Sequence, residues 1–152
     1  MTKHPNGSPR RVVIVDADRR VRQSLTSILE LEPGVEVVGA APDIQEGLKL
    51  VEALAPDVVA VDPCLPEVPA GLALVATLRR RAPGMRIVVM SCQALEEQAI
   101  ADGADAFVAK DGAASEFVAA LLARDTPFAR LGAAEPAPTD PQSFASVPPS
   151  AT

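Results

Sequence analysis

Four short apolar runs alternate with longer segments of helical periodicity along this chain. Each run leads into a polar side chain: residues 12–15 into Asp16, residues 58–61 into Asp62, residues 87–90 into Ser91, and residues 107–109 into Lys110. Continuous apolar runs rich in β-branched residues are typical of parallel strands that are buried on both faces. Ligands of open parallel sheets bind beyond the carboxyl ends of the strands. The pattern therefore predicts two carboxylates, a hydroxyl and an ammonium at one edge of one sheet.

Helical segments separate the apolar runs and complete an alternating strand and helix pattern. Breaks such as Pro33-Gly34 and Pro83-Gly84 end individual segments. The pattern predicts strands over 12–15, 35–41, 57–61, 86–90 and 106–109, and helices over 19–30, 44–55, 71–82, 94–102 and 113–124. Such alternation is typical of parallel strands joined by right-handed crossovers. We therefore expect an α/β fold, a flavodoxin-like doubly wound five-stranded parallel sheet with strand order 2-1-3-4-5.

The composition changes at both ends of this alternating region. Residues 1–10 are polar and predict a flexible leader, whereas residues 11–124 have the length of one ordinary domain. Residues 125–152 are rich in proline and alanine and show neither a helical nor a strand period. Such a composition predicts a disordered tail or linker.

Bulk composition narrows the classes of function. The 152 residues are 48% hydrophobic, which is enough for a buried core, and the net charge of −6 argues against a basic nucleic-acid surface. No apolar stretch has the length of a membrane span, and residues 1–9 lack the apolar region of a signal peptide. We therefore expect a cytoplasmic protein without direct nucleic-acid or membrane binding. Two cysteines and one histidine exclude the usual zinc sites.

The polar strand endings carry a resemblance to a known family. Asp16, Asp62, Ser91 and Lys110 follow predicted strands 1, 3, 4 and 5, and the Asp-x-x-Leu-Pro spacing that starts at Asp62 is a specific signature. In these features residues 11–124 resemble the receiver domain of two-component response regulators.

The resemblance implies a signalling role for several residues, rather than enzymatic catalysis. Asp62 is the implied phosphoacceptor, which receives a phosphoryl group from a sensor histidine kinase or a small phosphodonor. Ser91 and Lys110 bind phosphoryl oxygens, and Phe107, three residues before the lysine, is the aromatic switch. The readout is a two-state change of the helix 4–strand 5–helix 5 face, which includes Leu95 and binds a partner or a second copy of the chain.

A Mg²⁺ site beside the phosphoacceptor is also implied by the resemblance. Asp16, Asp62 and the backbone carbonyl of Cys64 are the implied ligands, and Asp18 is a further candidate. The family normally has two adjacent acids after strand 1, but this chain has Ala17 in place of the second. We expect the loss of one carboxylate to weaken Mg²⁺ binding.

Two further departures from the family pattern concern loops. The loop over residues 66–71 is predicted to be one residue longer than usual because of Pro69. Lys110-Asp111 stands where the family commonly has Lys-Pro, and is similar to the branch that usually carries helix-turn-helix outputs for transcription regulation. A cis bond without proline costs about 3 kcal/mol, so we expect the Lys110–Asp111 bond to be trans.

Two alternatives to a phosphorylated receiver stay open. Ala17 favours a degenerate receiver that binds partners without phosphorylation. The Asp16-Ala17-Asp18 sequence also resembles the Asp-x-Asp start of haloacid-dehalogenase phosphatases, with Asp16 as nucleophile, although Asp62 has no role in that family. We rank a small phosphatase third.

Three residues are expected to control access to the phosphoryl group. Cys64 and Cys92, with Gln93, lie close after strands 3 and 4, where they influence the approach of water and donor. A disulfide between the two cysteines would gate the site. The simpler expectation is a pair of small buried thiols in a reducing compartment.

Overall fold

A computed structural model describes residues 8–123 of the chain. The predicted tail over 125–152 and most of the predicted leader lie outside these residues. The elements are β1 (Arg10–Val15), α1 (Arg19–Glu30), β2 (Val35–Ala41), α2 (Ile44–Leu54), β3 (Val58–Val61), α3 (Val68–Arg81), β4 (Arg86–Ser91), α4 (Glu96–Ala101), β5 (Ala106–Ala109) and α5 (Ala114–Leu122). β1 thus begins at Arg10, inside the predicted leader.

The five strands form one parallel sheet in the order β2-β1-β3-β4-β5, which confirms the predicted topology. Residues 12–15 of β1 pair with the whole of β3, and Val61 of β3 pairs with Val89 of β4. Ser91 of β4 pairs with Ala109 of β5. This register aligns the carboxyl ends of four strands, so the residues that follow them lie at one edge of the sheet.

The core consists of two layers on opposite faces of the sheet. On one face, Val13 and Val59 belong to an apolar cluster that includes side chains of α2, α3 and α4. On the other face, Ile14 and Val88 pack in a cluster with side chains of α1 and α5. All four strand residues are fully buried. Burial on both faces explains why the strands are uninterrupted apolar runs rather than alternating ones.

Helix α3 corrects the prediction of a lengthened loop. We expected this helix to begin at Gly71, but it begins at Val68, and Pro69 lies in its first turn. A proline is tolerated there because the first backbone N–H groups of a helix have no intrahelical acceptor. Pro69 therefore extends the helix rather than the loop.

Helix α4 is shorter than predicted, and one of its flanking residues is buried. The helix spans only Glu96–Ala101, whereas the sequence predicted residues 94–102. Leu95, expected on an exposed readout face, is 8% exposed. A leucine that is removed from water contributes to stability through apolar burial, so its substitution disturbs the fold before it affects any partner. Leu95 is therefore a core residue.

The amino-terminal end of the sheet, opposite the predicted site, is held by arginine side chains. Arg79 donates to the carbonyls of Pro83, Met85 and Gly103, each at 2.9 Å, and pairs with Asp105 at 2.6 Å. Arg86 donates to the Ala120 carbonyl of α5 at 2.7 Å.

Arg86 is itself buried in this layer. Burial lowers its pKa, although the charge of Asp105 acts in the opposite direction.

No helix within residues 8–123 is long and apolar enough to cross a membrane.

Candidate functional site

Three charged side chains meet at the carboxyl edge of the sheet. The Nζ atom of Lys110, after β5, lies 2.9 Å from Oδ2 of Asp16, after β1, and 2.5 Å from Oδ2 of Asp62, after β3. Asp16 is 1% exposed, and the side chains of Asp62 and Lys110 are also largely buried. The structure therefore brings together two predicted carboxylates and the predicted ammonium, as the strand endings indicated.

The remaining carboxylate oxygens accept hydrogen bonds from backbone groups of the adjoining loops. Oδ1 of Asp16 accepts from the N–H of Asp18 at 2.9 Å, and Oδ1 of Asp62 accepts from the N–H of Cys64 at 2.9 Å. All four carboxylate oxygens of the pair thus have a donor within the protein. This satisfies the general requirement that buried charged groups be paired and hydrogen-bonded.

The ammonium of Lys110 is stabilised by its two partners. Burial acts to lower the pKa of Lys110, but the hydrogen bonds and charges of Asp62 and Asp16 outweigh it and raise the pKa above its ordinary value. Lys110 is therefore a positive charge that is held between the two carboxylates.

Ser91 and Phe107 lie on the β4 and β5 side of this group. Ser91 is 4% exposed, and its Oγ atom accepts a hydrogen bond from the N–H of Gln93 at 3.0 Å. The N–H of Lys110 donates to the carbonyl of Ser91 at 3.0 Å, which ties the lysine backbone to β4. Phe107 is half-buried and packs against the cluster that includes α4. Both residues are thus linked to elements of the predicted readout face.

The loop between β1 and α1 contains Asp18, whose carboxylate has a structural role in α1. The carboxylate of Asp18, a further candidate ligand, caps α1 by accepting from the N–H groups of Arg20 and Val21. Ala17 is exposed and contributes no oxygen ligand. Among the described residues, only Asp16 and Asp62 therefore bring carboxylates to the bond network around Lys110.

One residue of α1 supports this loop and was missed by the sequence reasoning. The guanidinium of Arg22 donates to the backbone carbonyl of Asp16 at 2.7 Å. Arg22 stands one helical turn after Asp18, the N-cap, so its side chain can reach back to the loop. The four-residue spacing between Asp18 and Arg22 could have indicated this contact. However, an arginine in the first turns of a helix is usually exposed to solvent.

The loop between β3 and α3 is held by a close approach of the helix. A Cβ atom added to Gly71 would lie 1.7 Å from the carbonyl oxygen of Pro63, so only glycine fits at that position.

Within residues 8–123 the only cis peptide bond is Leu65–Pro66. The Lys110–Asp111 bond is therefore trans, as expected.

The two cysteines are exposed, which contradicts the expectation of buried thiols. Both Cys64 and Cys92 are free and lie on the surface of the protein. Each cysteine lies in a short loop just after its strand, beyond the part of the sheet that helices cover on both faces. The exposed position makes both sulfur atoms accessible to reagents in solution.

Residues 12–122 match the family model of the response regulator receiver domain. The chain belongs to this family. It is 31% identical to the signal receiver domain of a NarL response regulator from Mycobacterium tuberculosis, with a TM-score of 0.69 over 76% of this chain and 94% of that one. A CheY-like receiver domain protein from Methanospirillum hungatei is 30% identical, with a TM-score of 0.66 over 74% of this chain and 90% of that one.

The curated relatives of this receiver domain are longer proteins. A protein-glutamate methylesterase/protein-glutamine glutaminase of Anaeromyxobacter dehalogenans is 35% identical over 95% of this chain and 43% of the relative. The nitrate/nitrite response regulator NarL of Escherichia coli is 30% identical over 76% of this chain and 55% of that protein. The chain thus spans about half of such relatives or less.

The oxygen ligands of this receiver domain suit Mg²⁺, but they lack one carboxylate of the family pattern because Ala17 stands in its place. Mg²⁺ is usually held by one or two carboxylates, with waters and phosphate oxygens that complete an octahedron. Asp16 and Asp62 bring two carboxylates to this edge of the sheet, which is within that range. Within residues 8–123, however, no group of three or more His, Cys, Asp or Glu side chains is arranged to hold a metal ion. The protein therefore offers fewer charged ligands than the family pattern.

Proposed function

We propose that this receiver domain accepts a phosphoryl group on Asp62 and transmits that event to a partner. The observation that carries the proposal is the bonding of one ammonium, Lys110, to both Asp16 and Asp62. A nucleophilic carboxylate beside a fixed cation is suited to phosphoryl transfer, in which catalysis consists mainly of positioning and charge stabilisation.

The transfer step uses the carboxylate of Asp62 as nucleophile. An oxygen of Asp62 forms a bond to the phosphorus atom while the phosphorus–nitrogen bond of a donor phosphohistidine breaks. The electron pair of the broken bond stays on the imidazole nitrogen of the donor. Lys110, already bonded to Asp62, neutralises a phosphoryl oxygen as a compact charge. Ser91 supplies a hydroxyl that donates to another oxygen.

Mg²⁺ is the proposed cofactor of this step. When bound, it would offset the repulsion between the carboxylates and the incoming phosphoryl group. Asp16, Asp62 and the carbonyl of Cys64 would hold it. Because Ala17 contributes no oxygen, these residues hold the ion more weakly than a full acidic pair does. The N-cap role of Asp18 keeps that carboxylate occupied in α1.

The proposed output is a change of the surface formed by α4, β5 and α5. When Ser91 turns toward the phosphoryl group, it leaves space beside β4 into which the ring of Phe107 moves. The half-buried position of that ring supports this step. The proposed partners are a sensor histidine kinase and a protein or second copy that reads this face. The proposed role is cytoplasmic signalling, in which the receiver domain accepts the phosphoryl group and is not an enzyme that turns over a separate substrate.

A phosphoryl analogue tests both acceptance and switching. Amide NMR spectra of the full chain are recorded with Mg²⁺ before and after addition of beryllofluoride. The proposal predicts shifts at Cys64, Ser91 and Phe107 that are absent in Asp62→Asn. Unchanged spectra in the parent chain would contradict it.

A degenerate receiver is the second candidate, and one observation favours it. Ala17 stands where the family has a second acid, and the carboxylate of Asp18 caps α1, so neither residue adds an acid to the site. A receiver with this reduced acid set can support a constitutive binding surface. If beryllofluoride leaves the spectra unchanged while a partner binds Asp62→Asn and parent chain equally, this second function is the correct one.

A further inference from the structure

The two cysteines occupy equivalent positions beyond neighbouring strands. Val61 of β3 pairs in register with Val89 of β4, and each cysteine lies three residues after its member of that pair. Cys64 and Cys92 are both exposed at the edge of the sheet that holds Asp62. They are also the only cysteines of the chain. The two thiols therefore lie in the loops that follow two adjacent strands, at the same sequence distance from a registered pair.

This placement suits a disulfide. Adjacent strands lie about 4.8 Å apart, so the loops that follow them can hold two cysteines at the Cα separation of a disulfide, roughly 4.4–6.8 Å. Neither thiol is enclosed by the core, so an oxidant can reach both. The loops differ in one respect, since the Sγ atom of Cys64 donates to the Pro66 carbonyl at 3.2 Å.

We propose that Cys64 and Cys92 form a reversible intramolecular disulfide that closes the phosphoacceptor edge. The oxidant is a hydroperoxide. The thiolate of one cysteine attacks a peroxide oxygen, the O–O bond breaks, and a sulfenic acid and one water or alcohol result. The second thiol then attacks the sulfenic sulfur, which forms the S–S bond and releases water. Two thiols and one hydroperoxide are consumed, and a dithiol reductant reverses the reaction.

The disulfide would act directly on the acceptor residue. The N–H of Cys64 donates to Oδ1 of Asp62 at 2.9 Å, and Cys92 follows Ser91 in the chain. A bond between the two sulfur atoms crosses the space through which a donor reaches Asp62. It also restrains the backbone of Ser91, whose carbonyl accepts a hydrogen bond from the N–H of Lys110. This consequence rests on the proposed function, whereas disulfide formation does not.

The first experiment measures the bond itself. The full chain is treated with hydrogen peroxide, and intact mass, peptide mapping and thiol titration follow the products. The proposal predicts loss of two hydrogens, a Cys64–Cys92 cross-linked peptide, and recovery of both thiols with dithiothreitol. The same treatment in urea provides the matched control for chance pairing. The folded chain should form the bond at least about tenfold faster than the unfolded one, because folding raises the effective concentration of the two thiols.

Three results would overturn the proposal. They are a folded chain that reacts no faster than the unfolded chain, oxygen addition to either thiol without a cross-link, and a disulfide that joins two copies. These readouts do not involve phosphorylation, so they remain decisive if Asp62 accepts no phosphoryl group.

The second experiment measures the consequence for Asp62. Phosphoryl adduct formation from acetyl phosphate is compared before and after peroxide treatment, in the parent chain and in Cys92→Ser. We expect peroxide to slow the parent chain at least about tenfold and to leave the rate of Cys92→Ser unchanged relative to its own untreated sample. Equal slowing in both proteins would assign the effect to Cys64 alone and would refute gating by the disulfide.

Discussion

The ammonium of Lys110 donates to the carboxylate of Asp16 across 2.9 Å, although the two residues lie 94 positions apart in the chain. Because Asp16 is almost completely buried, its carboxylate requires such a partner within the protein. The same ammonium bonds the phosphoacceptor candidate Asp62. One lysine after the last strand thus connects the stability of the sheet edge with the chemistry proposed for it.

Replacement of Lys110 should therefore destabilise the fold. In Lys110→Met the side chain keeps its length but loses its charge, and two carboxylates are left together with no cation between them. We expect the free energy of unfolding to fall by about 2 kcal/mol, since removal of one member of a buried charge pair leaves the other uncompensated. Urea denaturation followed by circular dichroism measures the change. Lys49→Met, on the exposed side of α2, is the matched control. Equal stability of the two variants would contradict the account of the site.

Restoring the missing acid should strengthen Mg²⁺ binding. In Ala17→Asp a carboxylate returns next to Asp16, and the charge count of the ligand set rises. We expect Mg²⁺ to bind about tenfold more tightly, because ligand charge is a main determinant of affinity in such sites. Isothermal titration calorimetry with Mg²⁺ alone gives the dissociation constant. Ala17→Asn provides nearly the same shape without the charge, and an equal gain in that variant would show that the carboxylate is not the reason.

Gly71 should be required for the loop that carries Cys64. In Gly71→Ala the new Cβ atom would overlap the Pro63 carbonyl, so α3 must move away from the loop. We expect a loss of roughly 1–3 kcal/mol in stability, as for other overpacked sites. In Gly84→Ala the added atom meets nothing within 4 Å, and the stability should change by less than about 0.5 kcal/mol. A tolerated Gly71→Ala, with unfolding midpoints equal for the two variants, would mean that the close approach is not maintained.

Arg79 should contribute to stability far more than its neighbour Arg81. Arg79 bonds three carbonyls and Asp105, whereas Arg81 is exposed at the end of α3. We expect Arg79→Ala to cost about 2 kcal/mol, because four acceptors, three of them in partly buried bonds, lose their donor at once. Arg81→Ala should cost less than about 0.5 kcal/mol. Thermal unfolding of both variants checks the difference, and similar losses would point to a general effect of helix charge.

The topology was predictable because the strands are buried on both faces. Residues 58–61 and 87–90 are continuous apolar runs, and such runs leave few alternatives to a parallel sheet with helices on both sides. The polar residues that follow them then meet by geometry alone. Strand order predicted that Asp16, Asp62 and Lys110 lie at one edge of the sheet, whereas the ion pairs between them depend on the direction of the lysine side chain.

Loop details were not predictable, because they depend on tertiary contacts. The sequence pattern placed Pro69 in a loop, because proline ends helices more often than it occupies their first turn. The exposure of Cys64 and Cys92 depends on the path of two short loops that periodicity does not describe. The bond from Arg22 to the Asp16 carbonyl likewise depends on the direction of a side chain.

The most direct test of the central claim is the intact mass of the full chain after incubation with acetyl phosphate and Mg²⁺. The account predicts one phosphoryl adduct in the parent chain and none in Asp62→Asn, because Asp62 is the only carboxylate proposed as acceptor. An unmodified parent chain, or an adduct that persists in Asp62→Asn, would contradict the assignment of Asp62 as the phosphoacceptor.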